Sequence, residues 1–254
     1  MIGGLLAMAL LAPSAGDVLD AAGLRDAMEH AREAPAADSL AGKPFKISIP
    51  FADERKRTMK VLQSPARWRY DYSRGELTVM IGLGQISADN YSGYKQQGLP
   101  NLPTLQTAFF DGSELRGPTT VETTQGATTR QEVGVQSIVT NYGLAIPYAD
   151  GVSALPPRFE PFMVYKLRMN QQTYHRLTRG MKLVLTGHLT ALGQRPEVFC
   201  GEYNGRLAAL DGHIDDTVYM LVKARQCFAT ARVEAVSVVG GGDVVLAAWG
   251  PAGR

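Results

Sequence analysis

The sequence predicts a mainly β protein of the α+β class, with two short helices and an antiparallel β-sandwich or partly open barrel. Three observations carry this reading. Apolar and polar residues alternate with period two through much of 43–254, and helical periodicity is confined to two short stretches. Clusters of Gly, Pro, Asn and Asp separate the runs at the short intervals of an all-β layer. The composition is that of an ordered chain: of 254 residues, 45% are hydrophobic and 20% charged, well away from the disordered regime. A formal net charge of +2 gives no global pull toward nucleic acid or anionic lipid.

Residues 1–16, MIGGLLAMALLAPSAG, are read as a signal peptide. They carry no charge, run apolar from Ile2 to Ala12 and break at Pro13, Ser14, Ala15 and Gly16. A bilayer-spanning helix needs roughly twenty apolar residues, about twice this run. The run followed by small residues instead matches the core and cleavage region of a secretory leader. No Lys or Arg precedes Arg25, so the basic n-region is missing, and a buried N-terminal helix is the competing reading. The leader places the mature chain outside the cytoplasm, secreted or periplasmic, with no transmembrane segment. Cys200 and Cys227 are the only cysteines. In an oxidising compartment they form one disulfide around a loop of about 28 residues, contributing roughly 3–4 kcal/mol in the chain-entropy model.

Residues 17–42 are expected to form a short helix and a linker. Asp17 can cap a helix reaching Glu33, with Val18, Leu19, Ala22, Leu24, Met28 and Ala31 giving it a partly apolar face and Pro35 ending it. Residues 43–254 form the β-rich domain, with a division at the Pro-rich 147–161 left open. Phe45, Ile47 and Ile49 alternate with Lys46 and Ser48, a half-buried strand. Trp68, Tyr70 and Tyr72, then Leu77, Val79 and Ile81, flank Ser73-Arg74-Gly75 as a hairpin. Residues 84–118 are irregular, and the Thr-rich stretch around Gln125-Gly126 reads as a polar hairpin. Phe162 to Met169 is a strand; Asn170 caps a helix over 171–179 that stops at Gly180; Met181 to Leu192 is strongly strand-like. Five strands follow, at 197–203, 206–210, 217–223, 228–239 and 243–249, the last two joined by Gly240-Gly241-Gly242.

Binding chemistry is expected in the irregular segment, because long aromatic-bearing loops on a rigid scaffold carry function. Its candidates are Tyr91, Tyr94, Phe109 and Phe110, and the Thr-rich hairpin beside them offers an edge for partner addition. Asn90-Tyr91-Ser92 is a glycosylation sequon that matters in a eukaryotic secretory pathway. The row Trp68, Tyr70, Tyr72 is either the core side of a sheet or a stacking face for carbohydrate or peptide. Arg55, Lys56, Arg57 and Lys60 form one basic cluster, an anion contact or a charged turn. Asp211, His213 and Asp215 alternate, so in an extended segment they share a face and can hold a divalent metal that activates water. Asp211-Gly212 is equally a turn signature. With no G-x-S-x-G, G-x-G-x-x-G or P-loop, serine-hydrolase and nucleotide chemistry lack an anchor. The leading expectation is a binding or structural protein of the cell envelope, with no cofactor, contacting a protein or polymer. A metal-assisted hydrolase and a small-ligand carrier are the alternatives.

Overall fold

The structure is a computed structural model. It describes residues 18–33, 39–55, 64–86, 105–112, 121–125, 128–132, 137–149, 152–191, 197–208 and 219–251. The expected signal peptide, residues 1–16, lies outside these residues. In chain order the elements are α1 (Ala21–Glu33), β1 (Pro44–Pro50), β2 (Ala52–Asp53), β3 (Ala66–Asp71), β4 (Glu76–Gly82), β5 (Gly84–Ile86) and β6 (Leu105–Gly112). Then come β7 (Val121–Gln125), β8 (Thr128–Glu132), β9 (Ser137–Ala149), β10 (Val152–Ser153), β11 (Phe162–Arg168) and α2 (Gln171–Thr178). The chain closes with β12 (Lys182–Leu189), β13 (Val198–Ala208), β14 (Tyr219–Val239) and β15 (Val245–Trp249).

The fold is mainly β with two helices, as the alternation predicts. A nine-stranded sheet runs β1-β12-β14-β9-β6-β5, with β10 on β9 and with β13 and β15 on β14; a four-stranded sheet runs β11-β4-β3-β2. Neither sheet closes into a barrel. Pairing is antiparallel except at β9–β14 and β2–β3, which are parallel. The sheets share one core. Phe45, Ile47, Leu183 and Leu185 from the larger meet Trp68, Leu77, Val79 and Ile81 from the smaller, giving a sandwich-like arrangement. Strands on either side of 147–161 pair with each other, β1 with β12 and β4 with β11.

β1 shows how directly sequence dictates this layout. Its burial alternates strictly, with Phe45, Ile47 and Ile49 inward and Lys46 and Ser48 outward. α1 buries Leu24, Met28 and Ala31, and full burial of side chains the size of Leu24 and Met28 stabilises by about 1.5–3 kcal/mol each. The helix begins at Ala21, three residues later than a cap at Asp17 would place it, because the backbone before it is used elsewhere. Leu19 N–H donates to Pro44 and its carbonyl accepts from Lys46 N–H, an extension of the β1 edge. Asp20 then provides the cap, its Oδ1 accepting from Gly23 N–H at 2.8 Å.

Two expectations at the strand level are corrected. The irregular stretch 84–118 contains β5 and β6, and β6 pairs with β9 over most of its length. It escapes a period-two reading because both of its faces are covered: Gln106 and Thr107 are buried beside Leu105 and Ala108. The first four of the five C-terminal candidates fuse into two long strands. β13 runs unbroken through Asn204-Gly205, and β14 runs 21 residues through Arg225-Gln226. Continuous pairing holds them: β13 matches β14 from Val198↔Ala229 to Ala208↔Tyr219. Cys200 and Cys227 are direct partners in that register, with Cα atoms 4.0 Å apart and their sulfurs bonded. Phe199 and Phe228, the adjacent pair, turn to the other face into a small second cluster.

Candidate functional site

The structure separates the predicted site residues. Phe110 is buried in the main core, and Phe109 leans on Phe228 with ring centroids 5.3 Å apart. Both therefore work as packing residues of β6. Tyr91, Tyr94, Asp211, His213 and Asp215 lie outside the described residues. The Thr-rich hairpin forms as β7 and β8, which pair only with each other among the described strands.

The aromatic row divides. Trp68 and Tyr70 are buried, as a core row requires, while Tyr72, one residue past the end of β3, is 53% exposed. What the sequence does not reveal is the fourth ring, Tyr174, delivered from α2. It stacks on Tyr70 at 4.1 Å and meets Trp68 edge-on at 5.4 Å and Tyr72 at 6.0 Å. The helix reaches this place because Asn170 Oδ1 accepts from Thr173 N–H at 2.8 Å, and because the Tyr70 hydroxyl donates to the Met169 carbonyl at 2.8 Å. Arg55, from the basic cluster, covers the group: its guanidinium carbon is 5.5 Å from the Trp68 ring centre and 5.9 Å from that of Tyr72. Asp53 fixes it with a fork, Nε to Oδ1 at 3.0 Å and Nη2 to Oδ2 at 2.7 Å. Hydrogen bonding from Arg55 holds the Tyr72 phenol below its ordinary range, while burial pushes Tyr174 up.

A second feature lies where both sheets end. β11 pairs only with β4, and β15 only with β14, so each leaves one backbone edge unpaired among the described strands. Tyr165 of β11 and Trp249 of β15 meet at 6.1 Å, which brings the two edges together on one side of the sandwich. Most of the large exposed apolar side chains gather on these strands or just before them: Phe162 (66%), Val164 (46%), Leu167, Val244 and Val245 (61%). The expected protections of an edge strand are thin here. β11 carries two charges, Lys166, engaged by Glu76 at 3.2 Å, and Arg168 at its end.

The third feature is a cleft of about 550 Å³ between the end of α2 and the Gly240-Gly241-Gly242 turn, lined by His175, Arg176, Arg179, Gly241, Gly242 and Val244. Gly241 N–H donates to the Leu177 carbonyl at 2.8 Å and seats the turn on the helix end.

No described helix is long and apolar enough to cross a membrane. Comparison with protein-family models, with curated proteins and with solved structures returned no match, so the functional reading rests on the chain's own residues.

Proposed function

We propose that this chain is a non-catalytic binding protein of a cell envelope, secreted or periplasmic, that takes up a protein partner by strand addition along β11. The observation that carries the proposal is the edge of β11 left unpaired among the described strands, with Phe162 and Val164 exposed beside it. An added strand gains main-chain hydrogen bonds along such an edge and draws specificity from alternate side chains. Contiguous apolar exposure on a monomer marks interaction surfaces more often than chance placement. The Cys200–Cys227 bond supports an oxidising compartment, and the uncharged apolar leader at 1–16 supports export.

The test is affinity capture from the native envelope, comparing the wild type with Val164→Lys. Because Val164 is half exposed, the substitution should change the free energy of unfolding by no more than about 0.5 kcal/mol. The expected outcome is loss of a partner that the wild type retains. A partner retained equally by a folded Val164→Lys variant contradicts the assignment to β11.

A further inference from the structure

The cleft at the end of α2 carries a reading separate from the β11 edge. Three cationic or proton-donating side chains, His175, Arg176 and Arg179, face one concavity. Neither arginine has a carboxylate partner among the described residues. The carboxylate next to the cleft in sequence, Asp243, is already engaged by Lys182 Nζ at 3.2 Å. His175 has a weak contact with Gln171 at 3.4 Å and a ring contact with Tyr174.

Cations near a helix C-terminus often serve only to balance its carbonyls. Here other groups already do that work. The Leu177 carbonyl accepts from Gly241 N–H, the Thr178 carbonyl from Met181 N–H, and the Tyr174 carbonyl from the Thr178 hydroxyl. The guanidinium groups are thus left without an acceptor among the described residues. The backbone adds to the same surface: in the turn, φ is positive at Gly242 and Asp243, and the Gly242 N–H donates to no described residue. A Cβ at Gly242 would meet nothing within 4 Å, so this part of the wall is open.

We infer that the cleft binds a tetrahedral oxyanion, the phosphoryl group of a phosphoester, held by Arg176 and Arg179 with His175 as a further donor. Two planar guanidinium forks match a group with several coplanar and offset oxygens, and they do so far better than point charges would. A volume of about 550 Å³ exceeds what a bare ion needs and lies in the range of pockets that hold small organic ligands. The ligand is therefore a phosphoryl group on a larger body, either a free phosphoester or a lipid headgroup.

The experiment titrates the full mature chain with phenyl phosphate, following backbone amide shifts by NMR, with benzoate and chloride as controls. A parallel arm measures sedimentation with phosphatidylglycerol vesicles against phosphatidylcholine vesicles. Arg176→Gln and Arg179→Gln are compared with Arg232→Gln, which removes the same charge from an exposed site on β14. The inference expects shifts at Gly241 and Gly242 and at least a tenfold weaker affinity in each cleft variant. Arg232→Gln should stay within twofold of wild type. If only phosphatidylglycerol vesicles bind, with the same dependence on Arg176 and Arg179, the source is a headgroup; saturable phenyl phosphate binding alone points to a free ester. Equal losses in all three variants, or no binding in either arm, overturn the site. Unfolding midpoints show that each variant folds.

Discussion

Gly241→Ala tests how the helix and the glycine turn are joined. A Cβ at Gly241 would stand 2.1 Å from the Arg176 carbonyl oxygen and 2.6 Å from that of Arg179. Carbon–oxygen contacts settle near about 3.3 Å at closest, so the turn must retreat by more than about 1 Å. Both obstacles are backbone atoms and cannot swing aside as a side chain would. Overpacking of this kind costs about 1–3 kcal/mol, and the retreat also breaks the Gly241–Leu177 hydrogen bond, adding about 1 kcal/mol. The smaller unfolded-state entropy of Ala offsets less than about 1 kcal/mol. The net expectation is a loss of about 1–3.5 kcal/mol. Gly242→Ala is the internal control: its Cβ is unobstructed, and the cost is the left-handed conformation at φ 74° alone, about 1–2 kcal/mol. Urea unfolding of both variants, read by tryptophan fluorescence, measures the difference. Gly241→Ala clearly more stable than Gly242→Ala, or within about 0.5 kcal/mol of wild type, refutes the reasoning.

Other consequences can be checked as directly. Replacing both cysteines, Cys200→Ala with Cys227→Ala, should destabilise by about 3–4 kcal/mol from loop entropy over the 27-residue separation, measured against the oxidised wild type. Leu24→Ala, at a fully buried position of α1, should cost about 2–5 kcal/mol, whereas Val18→Ala at an exposed one should be near neutral by the same assay. In an ultraviolet pH titration, Tyr72 should ionise earlier than an ordinary tyrosine because Arg55 favours its phenolate. That early step should vanish in Tyr72→Phe and move upward in Arg55→Gln. Its folded-state pKa is depressed, so its contribution to stability is present above the unfolded value of about 10 and is lost as pH falls through the folded value. Tyr174, raised by burial, has the opposite sign. An early step that persists in Tyr72→Phe contradicts the assignment.

Elements with one covered face were legible in the sequence. β1, the β3–β4 hairpin and the helix capped by Asn170 show their burial as periodicity and their ends as caps and turns. β6 was hidden because Gln106 and Thr107 are buried polar residues, and a strand covered on both faces carries no alternation. The fusion of candidates into β14 was hidden for a related reason: a central strand with neighbours on both flanks keeps its ladder through polar residues that read as breaks. At the site level, the row Trp68, Tyr70 and Tyr72 was visible, but the partner ring Tyr174 was not, since it comes from a separate helix. The cleft joins Arg176 and Arg179 to Gly241 across more than sixty positions in the chain, and nothing local announces that contact. An edge likewise belongs to the topology: β11 reads as an ordinary strand until β4 is seen to be its one partner among the described strands.

The proposed role stands on the β11 edge, and site-specific photo-crosslinking in the native envelope tests it most directly. A photoreactive residue is placed in turn at Phe162 and Val164 on β11, and at His188 on β12 as an exposed control. The account predicts one shared adduct from the two β11 positions and none from position 188. Adducts of equal yield at all three positions, or none at β11 in cells that hold the protein at native levels, contradict it.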